Sequence, residues 1–246
     1  MRIIGSGFLA RNLAGPLGRH DGVTLYAAGP SGGAATDGFA RDADLLYATI
    51  AECLADGGRL VYLSTSSVGL YGRPGGLLRE DGPVYPCSPY GRHKLAMESV
   101  IRASGVDHLI LRLAYPVGPD QPAHQVVPAL VAQVLAGEVT VWRGARRDLI
   151  DIRHVATVIA ALLVRRISNV SVNIASGTAV AVESIVHHLA GRLGVRPAVR
   201  VVDMPEESAI SVARMHALAP GAADLGFGPE YYRAVLDRYV PAVVTG

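Results

Sequence analysis

Short apolar runs alternate with helix-period segments along most of this chain, and that alternation limits the possible fold more than any other feature. Residues 1–5 read as a buried strand, and the run after them repeats apolar residues at Phe8, Leu9, Leu13 and Leu17, the spacing of one helix face. Residues 22–27 form the next strand, and Phe39, Leu45, Leu46, Ile50 and Leu54 mark a helix over residues 36–55. A third strand covers residues 59–64 and breaks into the hydroxyl-rich segment "STSSVGLYG". Ser88 and Pro89 then open a helix as N-cap and first-turn residue, it ends near Gly105, and "DHLILRLAY" is a further strand. Such alternation predicts right-handed crossovers and a parallel sheet covered by helices on both faces, an α/β fold. A chain of 246 residues suits a single domain of this kind, with residues 1–118 as the main binding core and residues 119–246 adding the last strands and a small lobe. In that second part, helices are expected at residues 126–136, 154–163 and 182–193, strands at "VTVWR" and "SVNIAS", and the stretch 203–229 is expected to fold over the sheet as part of the small lobe.

The first strand runs into Gly5, Ser6 and Gly7, and Ala10 takes the third small-residue place. A glycine-rich turn between strand and helix lets the backbone approach a pyrophosphate and aims the helix's unsatisfied N–H groups at it. A tight structural turn would carry the same residues, so the motif gains meaning only from its company. Charge narrows the partners: 23 Lys+Arg against 21 Asp+Glu leave +2 and no basic cluster, so no nucleic acid is expected. Cys53 and Cys87 are isolated and the histidines lack ligand spacing, which predicts no disulfide, no metal and a reducing, cytoplasmic setting. The start "MRII" is unlike a secretory leader, and the longest apolar run, residues 155–164, is about half a bilayer span, so no membrane association is expected. Trp142 is expected in packing.

Ligands of such sheets bind beyond the carboxyl ends of the strands, where "STSSVGLYG" and "SPYGRHK" fall. Tyr90 and Lys94 are four apart on one helix and share a face. An ammonium beside a phenol favours the phenolate; at about 1.4 kcal/mol per unit, a desolvated cation moves the phenol from about 10 toward a working range.

With "GSGFLA", "AAGPSGG", "STSSVGLYG", "SPYGRHKLAME", "LRLAYPVGP" and "RRDLIDIRHVA" in this order, the chain resembles the extended short-chain dehydrogenase/reductase family of nucleotide-sugar epimerases, dehydratases and reductases. The resemblance runs from Met1 to about Gly177 and implies a Rossmann-like doubly wound sheet, a bound NAD(P) and a small-molecule substrate. It implies that Ser67 hydrogen-bonds the substrate oxygen, with Ser66 and Val68 beside it. Tyr90 would be the general acid or base, and Lys94 would bind the nicotinamide ribose and depress the tyrosine pKa. The pyrophosphate would lie on Gly5, Ser6, Gly7, Phe8 and Leu9. Ala27, Ala28 and Gly29 would line the cofactor, and Tyr115, Pro116 and Val117 would border the nicotinamide. Arg147 would face the sugar-nucleotide phosphates, although an ion pair with Asp148 would serve the structure equally.

Three departures from the family follow. Gly5 and Ala27 lie only 22 positions apart (27 minus 5), yet "LYAAG" resembles the family's fourth strand, which implies that the second and third strands are missing. The acidic residue that meets the adenosine ribose then has no counterpart, which favours NADP(H) over NAD(H), with Arg11 near a 2′-phosphate. At the family's catalytic Asn the chain offers Arg41, Asp42 or Asp44. Dehydratases carry an Asp-Glu pair where this chain has Val68 and Gly69, neither of which moves a proton. The expected function is therefore an NADPH-dependent ketoreductase acting on a nucleotide-linked 4-keto-6-deoxysugar, with a homodimer as a compatible assembly. An epimerase with retained NAD and a non-catalytic dinucleotide sensor are the alternatives.

Overall fold

The alternation is realised as an ordered series of strands and helices in the computed structural model, which describes residues 1–30, 38–72, 76–203 and 209–241. The chain runs β1 (Arg2–Ile4), α1 (Phe8–Leu17), β2 (Val23–Tyr26), α2 (Phe39–Asp56), β3 (Arg59–Thr65), α3 (Val68–Tyr71), β4 (Leu77–Leu78), α4 (Pro89–Ser104), β5 (His108–Leu113) and β6 (Tyr115–Val117). It continues through α5 (Val126–Leu135), β7 (Glu138–Arg143), β8 (Arg146–Arg147), β9 (Leu149–Asp151), α6 (Ile152–Val164), β10 (Val170–Ile174), β11 (Val180–Ala181) and α7 (Val182–Leu193). The last elements are β12 (Ala198–Asp203), β13 (Ala209–Ile210), α8 (Ala213–Leu218), a 3₁₀ turn at Pro220–Leu225, and α9 (Tyr231–Tyr239). The expected helix at residues 36–55 begins at Phe39; residues 36 and 37 lie outside the described residues.

Among the described residues the central sheet is five-stranded in the order β1-β2-β3-β5-β10, and every neighbouring pair is parallel. Among the described residues β1 has β2 as its one neighbour, as the short spacing from Gly5 to Ala27 predicts. Alternate residues serve opposite faces, as the two-residue period of a strand requires. Leu25, Val61, Leu63, Leu109 and Leu111 meet α1 and α6 on one face. Tyr26, Leu60, Tyr62 and Ile110 meet α2 and α4 on the other.

This arrangement corrects the expectation that every crossover is right-handed. The steps β1 to β2, β2 to β3 and β3 to β5 all advance in one direction across the sheet. α2 and α4 cover one face while α1 covers the other, so the β1–α1–β2 connection has the opposite hand to the next two. The cause is the shortened chain. α1 lies on the face suited to a chain stepping outward, and without outer strands the chain steps inward instead.

A second apolar core gathers α5, β7, α7 and α9 around Val134, Val141, Ile185, Leu189 and Leu236. The stretch 203–229 folds over the main sheet, as expected, although not as part of this second core; residues 204–208 lie outside the described residues. Ile210, Met215, Ala219 and Ala222 pack into the core on the α1–α6 face of the main sheet. Trp142 is 45% exposed on β7, which corrects its expected role in packing. No helix among the described residues is long and apolar enough to cross a membrane.

Candidate active site

The site is assembled at the carboxyl ends of β1, β2, β3 and β5. Gly5 has φ +121°, and a Cβ there would stand 2.7 Å from the carbonyl oxygen of Ala27, so glycine lets the turn lie directly against the Ala27–Ala28 backbone. Gly7 is the N-cap of α1 and has open space where a side chain would be. The first-turn N–H groups of α1 have no helical partners by geometry, and that turn holds no acidic residue. Phe8 is buried, so its backbone is what it can offer a ligand; Ser6 and Arg11 are exposed. Arg11 Nη1 donates to the Ser6 carbonyl at 2.8 Å, which folds the guanidinium back over the turn. A strand-to-helix turn with free N–H groups and a cation over it fits a dinucleotide pyrophosphate.

α3 and α4 carry the candidate residues Ser67, Tyr90 and Lys94. Ser67 is the N-cap of α3, and Ser88 caps α4 by accepting from the Gly91 N–H at 2.9 Å. A Cβ on Gly91 would fall 1.7 Å from the Gly69 carbonyl oxygen, so the first turn of α4 rests on the backbone of α3. Tyr90 lies one residue before this contact. Tyr90 is half-buried, and burial together with the Asp42 carboxylate pushes its phenol well above the ordinary range. The phenol therefore rests protonated, opposite to the depression expected from Lys94.

Lys94 is engaged elsewhere. It is buried, and its Nζ donates to Tyr62 Oη at 3.2 Å and to the Leu63 carbonyl at 3.1 Å. The ammonium is 4.8 Å from the centre of the Tyr62 ring and 5.9 Å from that of Tyr90. Burial pushes Lys94 down to about 8, against the opposing pull of Asp42 and Glu98. Glu98 itself is held below the carboxylate range by Arg112 and Ser64, which outweigh its burial. Tyr62 was not singled out in the sequence; its signal was an aromatic hydroxyl inside the apolar strand "RLVYLST", on the face that meets α4.

Of the three candidates at the family's Asn, Asp42 is the buried one, while Arg41 and Asp44 are exposed. Tyr115, Pro116 and Val117 form β6, which pairs with β9 just past β5. Tyr115 and Pro116 are half-buried, whereas Val117 is enclosed in the second core. Asp148 is buried and raised by that burial. It accepts from Ser176 Oγ, Ser176 N–H and Gly177 N–H at 2.7, 2.8 and 2.9 Å. Arg147 lies over the Tyr115 ring at 5.2 Å and donates to the Arg146 carbonyl at 2.7 Å. Arg146, not Arg147, lines a cavity of about 20 Å³ together with Ser66, Ser67, Val68, Tyr115 and Asp148. Ser66 Oγ is buried there without a hydrogen-bond partner among the described residues.

The NAD dependent epimerase/dehydratase family matches residues 20–175, more than half of the chain. The chain belongs to that family. It is 30% identical to a dTDP-6-deoxy-L-talose 4-dehydrogenase (NAD(P)(+)) of Kitasatospora kifunensis over 62% of this chain and 52% of the relative. The chain thus spans about half the length of that relative. Among family structures, MoeE5 in complex with UDP-glucuronic acid and NAD is 25% identical, with a TM-score of 0.68 over 81% of this chain and 73% of that one. RMD from Pseudomonas aeruginosa complexed with NADPH shares the fold at 20% identity, with a TM-score of 0.74 over 95% of this chain and 96% of that one.

Proposed function

We propose that the chain is an NADPH-dependent ketoreductase of a nucleotide-linked 4-keto-6-deoxysugar. The observation that supports this reading is the packing of α4, which carries Tyr90 with the Lys94 ammonium 5.9 Å from its ring, onto α3, which Ser67 caps, with Val68 and Gly69 where a dehydratase needs proton carriers. The bound dinucleotide supplies the hydride for the carbonyl carbon. Tyr90 rests protonated and gives its proton to the carbonyl oxygen as negative charge develops there. Ser67 hydrogen-bonds the same oxygen, and the Lys94 ammonium stabilises the tyrosinate left behind. Arg147, joined by Arg146, is assigned to the nucleotide phosphates. Arg11 is assigned to the cofactor's 2′-phosphate, since its guanidinium already lies over the glycine turn. A dTDP-linked 6-deoxysugar in the name of the Kitasatospora relative belongs to the same substrate class.

The test is NADPH oxidation with a dTDP-linked 4-keto-6-deoxyhexose. Tyr90→Phe should lower kcat by about 10²- to 10⁴-fold with NADPH binding nearly unchanged. Arg11→Ala should weaken NADPH more than NADH. Near-normal turnover by Tyr90→Phe would remove the assigned acid, and NADH used as well as NADPH by the parent would remove the cofactor assignment.

A further inference from the structure

Asp42 stands in the first turn of α2 with its carboxylate buried. Oδ1 accepts from Tyr26 Oη at 2.7 Å, and Oδ2 lies 2.7 Å from His93 Nε2. The backbone makes room for it, because a Cβ on Gly29 would stand 2.9 Å from Oδ1. His93 is fixed from its other side by Phe39, with ring centres 4.4 Å apart and planes 3° from parallel. Tyr26 pairs in register with Tyr62 on the adjacent strand, their rings 5.7 Å apart, and Tyr62 accepts from Lys94. His93 also immediately precedes Lys94 on α4. Two routes, through the tyrosines and through α4, thus connect this carboxylate with the buried ammonium.

Lys94 is the one lysine of the chain; the other basic residues, 23 minus 1, are arginines. Arginine stays charged wherever it is placed, whereas lysine loses its proton readily when buried. The groups around Lys94 are Tyr62 from β3, Tyr90, His93 and Glu98 from α4, and Asp42 from α2, with Tyr26 of β2 behind Tyr62. Glu98 is already committed to Arg112 at 2.7 Å and Arg102 at 2.8 Å. Asp42 pairs, among the described residues, with an imidazole and a phenol and with no guanidinium. Of the two carboxylates, Asp42 acts on Lys94 more strongly.

We propose that Asp42, held by Tyr26 and His93, is the positioning carboxylate that keeps Lys94 protonated, so that a cation stands beside Tyr90 when it gives up its proton. The catalytic meaning rests on the proposed function; the electrostatic claim does not.

The test uses the full chain with ¹³Cε-lysine incorporated during expression, which yields one lysine signal because there is one lysine. The parent should titrate at about 8. Asp42→Asn, which can keep both hydrogen bonds without the charge, should lower that midpoint by about 1 unit. Tyr26→Phe removes a hydrogen bond from the carboxylate and no charge, so its midpoint should stay in place. Asp42→Ser, equally uncharged and smaller, carries the same expectation should Asp42→Asn fail to fold. An unmoved midpoint in the uncharged variants, or an equal movement in Tyr26→Phe, overturns the proposal. If the midpoint moves as expected and no ketone is reduced, Asp42 keeps its role and the proposed reaction falls.

Discussion

Lys94 carries its charge in a place where water cannot solvate it, and the folded protein loses stability for that at neutral pH. Burial sets its folded pKa at about 8, below the ordinary 10.5. Between those values the unfolded chain binds more protons, so this group's contribution to stability rises with pH; below about 8 the penalty is fully present. Lys94→Met should therefore stabilise the ligand-free protein at pH 7, by on the order of 1–3 kcal/mol, with the gain shrinking toward pH 10. Urea denaturation of both proteins at the two pH values measures the difference, and a Lys94→Met protein less stable at pH 7 contradicts the sign. Turnover by the parent should decline as pH passes about 8 and Lys94 discharges; a rate that stays level to pH 10 would separate Lys94 from the proton step. The sequence revealed the pairing of Tyr90 with Lys94 because four residues on a helix make one face. It could not reveal the direction of the Tyr90 shift, which comes from burial and from Asp42, distant in sequence and adjacent only after folding.

Helix packing decides whether those side chains meet. α4 approaches α3 so closely that Gly91 has no room for a methyl group beside the Gly69 carbonyl. Gly91→Ala should cost about 1–3 kcal/mol through overpacking and lower kcat with it, since the shift begins one residue from Tyr90. Its reading is thermal unfolding together with kcat; unchanged values for both would show that the helices separate freely. Deeper in α4, Glu98 accepts from Arg112 in a buried fork at 2.7 and 3.0 Å. Arg112→Met leaves that carboxylate without its buried partner and should cost about 3–5 kcal/mol, measurable by denaturant titration. Replacing Arg112 and Glu98 together should cost less than Arg112→Met alone. The long elements were legible because each buries one periodic face, as α1, α4 and α7 do. The two-residue ladders β4–β13 and β8–β11 were not, because so short a strand is defined by the distant partner it meets. Arg146 lines the small cavity beside Ser66, Ser67 and Val68, while Arg147, its neighbour on β8 where successive side chains point apart, lies over Tyr115.

At the scale of the molecule, the short spacing from Gly5 to Ala27 predicts β2 beside β1, and among the described residues β1 is an edge with β2 as its neighbour. What spacing could not foretell was the hand of the first crossover, since sequence order does not say which face a helix covers. The edge has a consequence for how the molecule breathes. β1 is fastened to the sheet through three residue pairs, Arg2 with Thr24, Ile3 with Leu25 and Ile4 with Tyr26, and the phosphate-type turn begins where that strand ends. The hydrogen-bonded amides of β1 should exchange with deuterium sooner than those of β3, which has a strand on either side. A nicotinamide dinucleotide spanning from the Gly5–Gly7 turn to Lys94 would tie this outer strip to the middle of the sheet, and exchange in β1 should then slow. Equal protection of β1 and β3 without ligand would mean that α1, packed against α6, already anchors the strip. In the expected case, the grip on the dinucleotide and the closing of the sheet's own margin are one equilibrium, so a substitution in β1 that touches no ligand would still weaken binding.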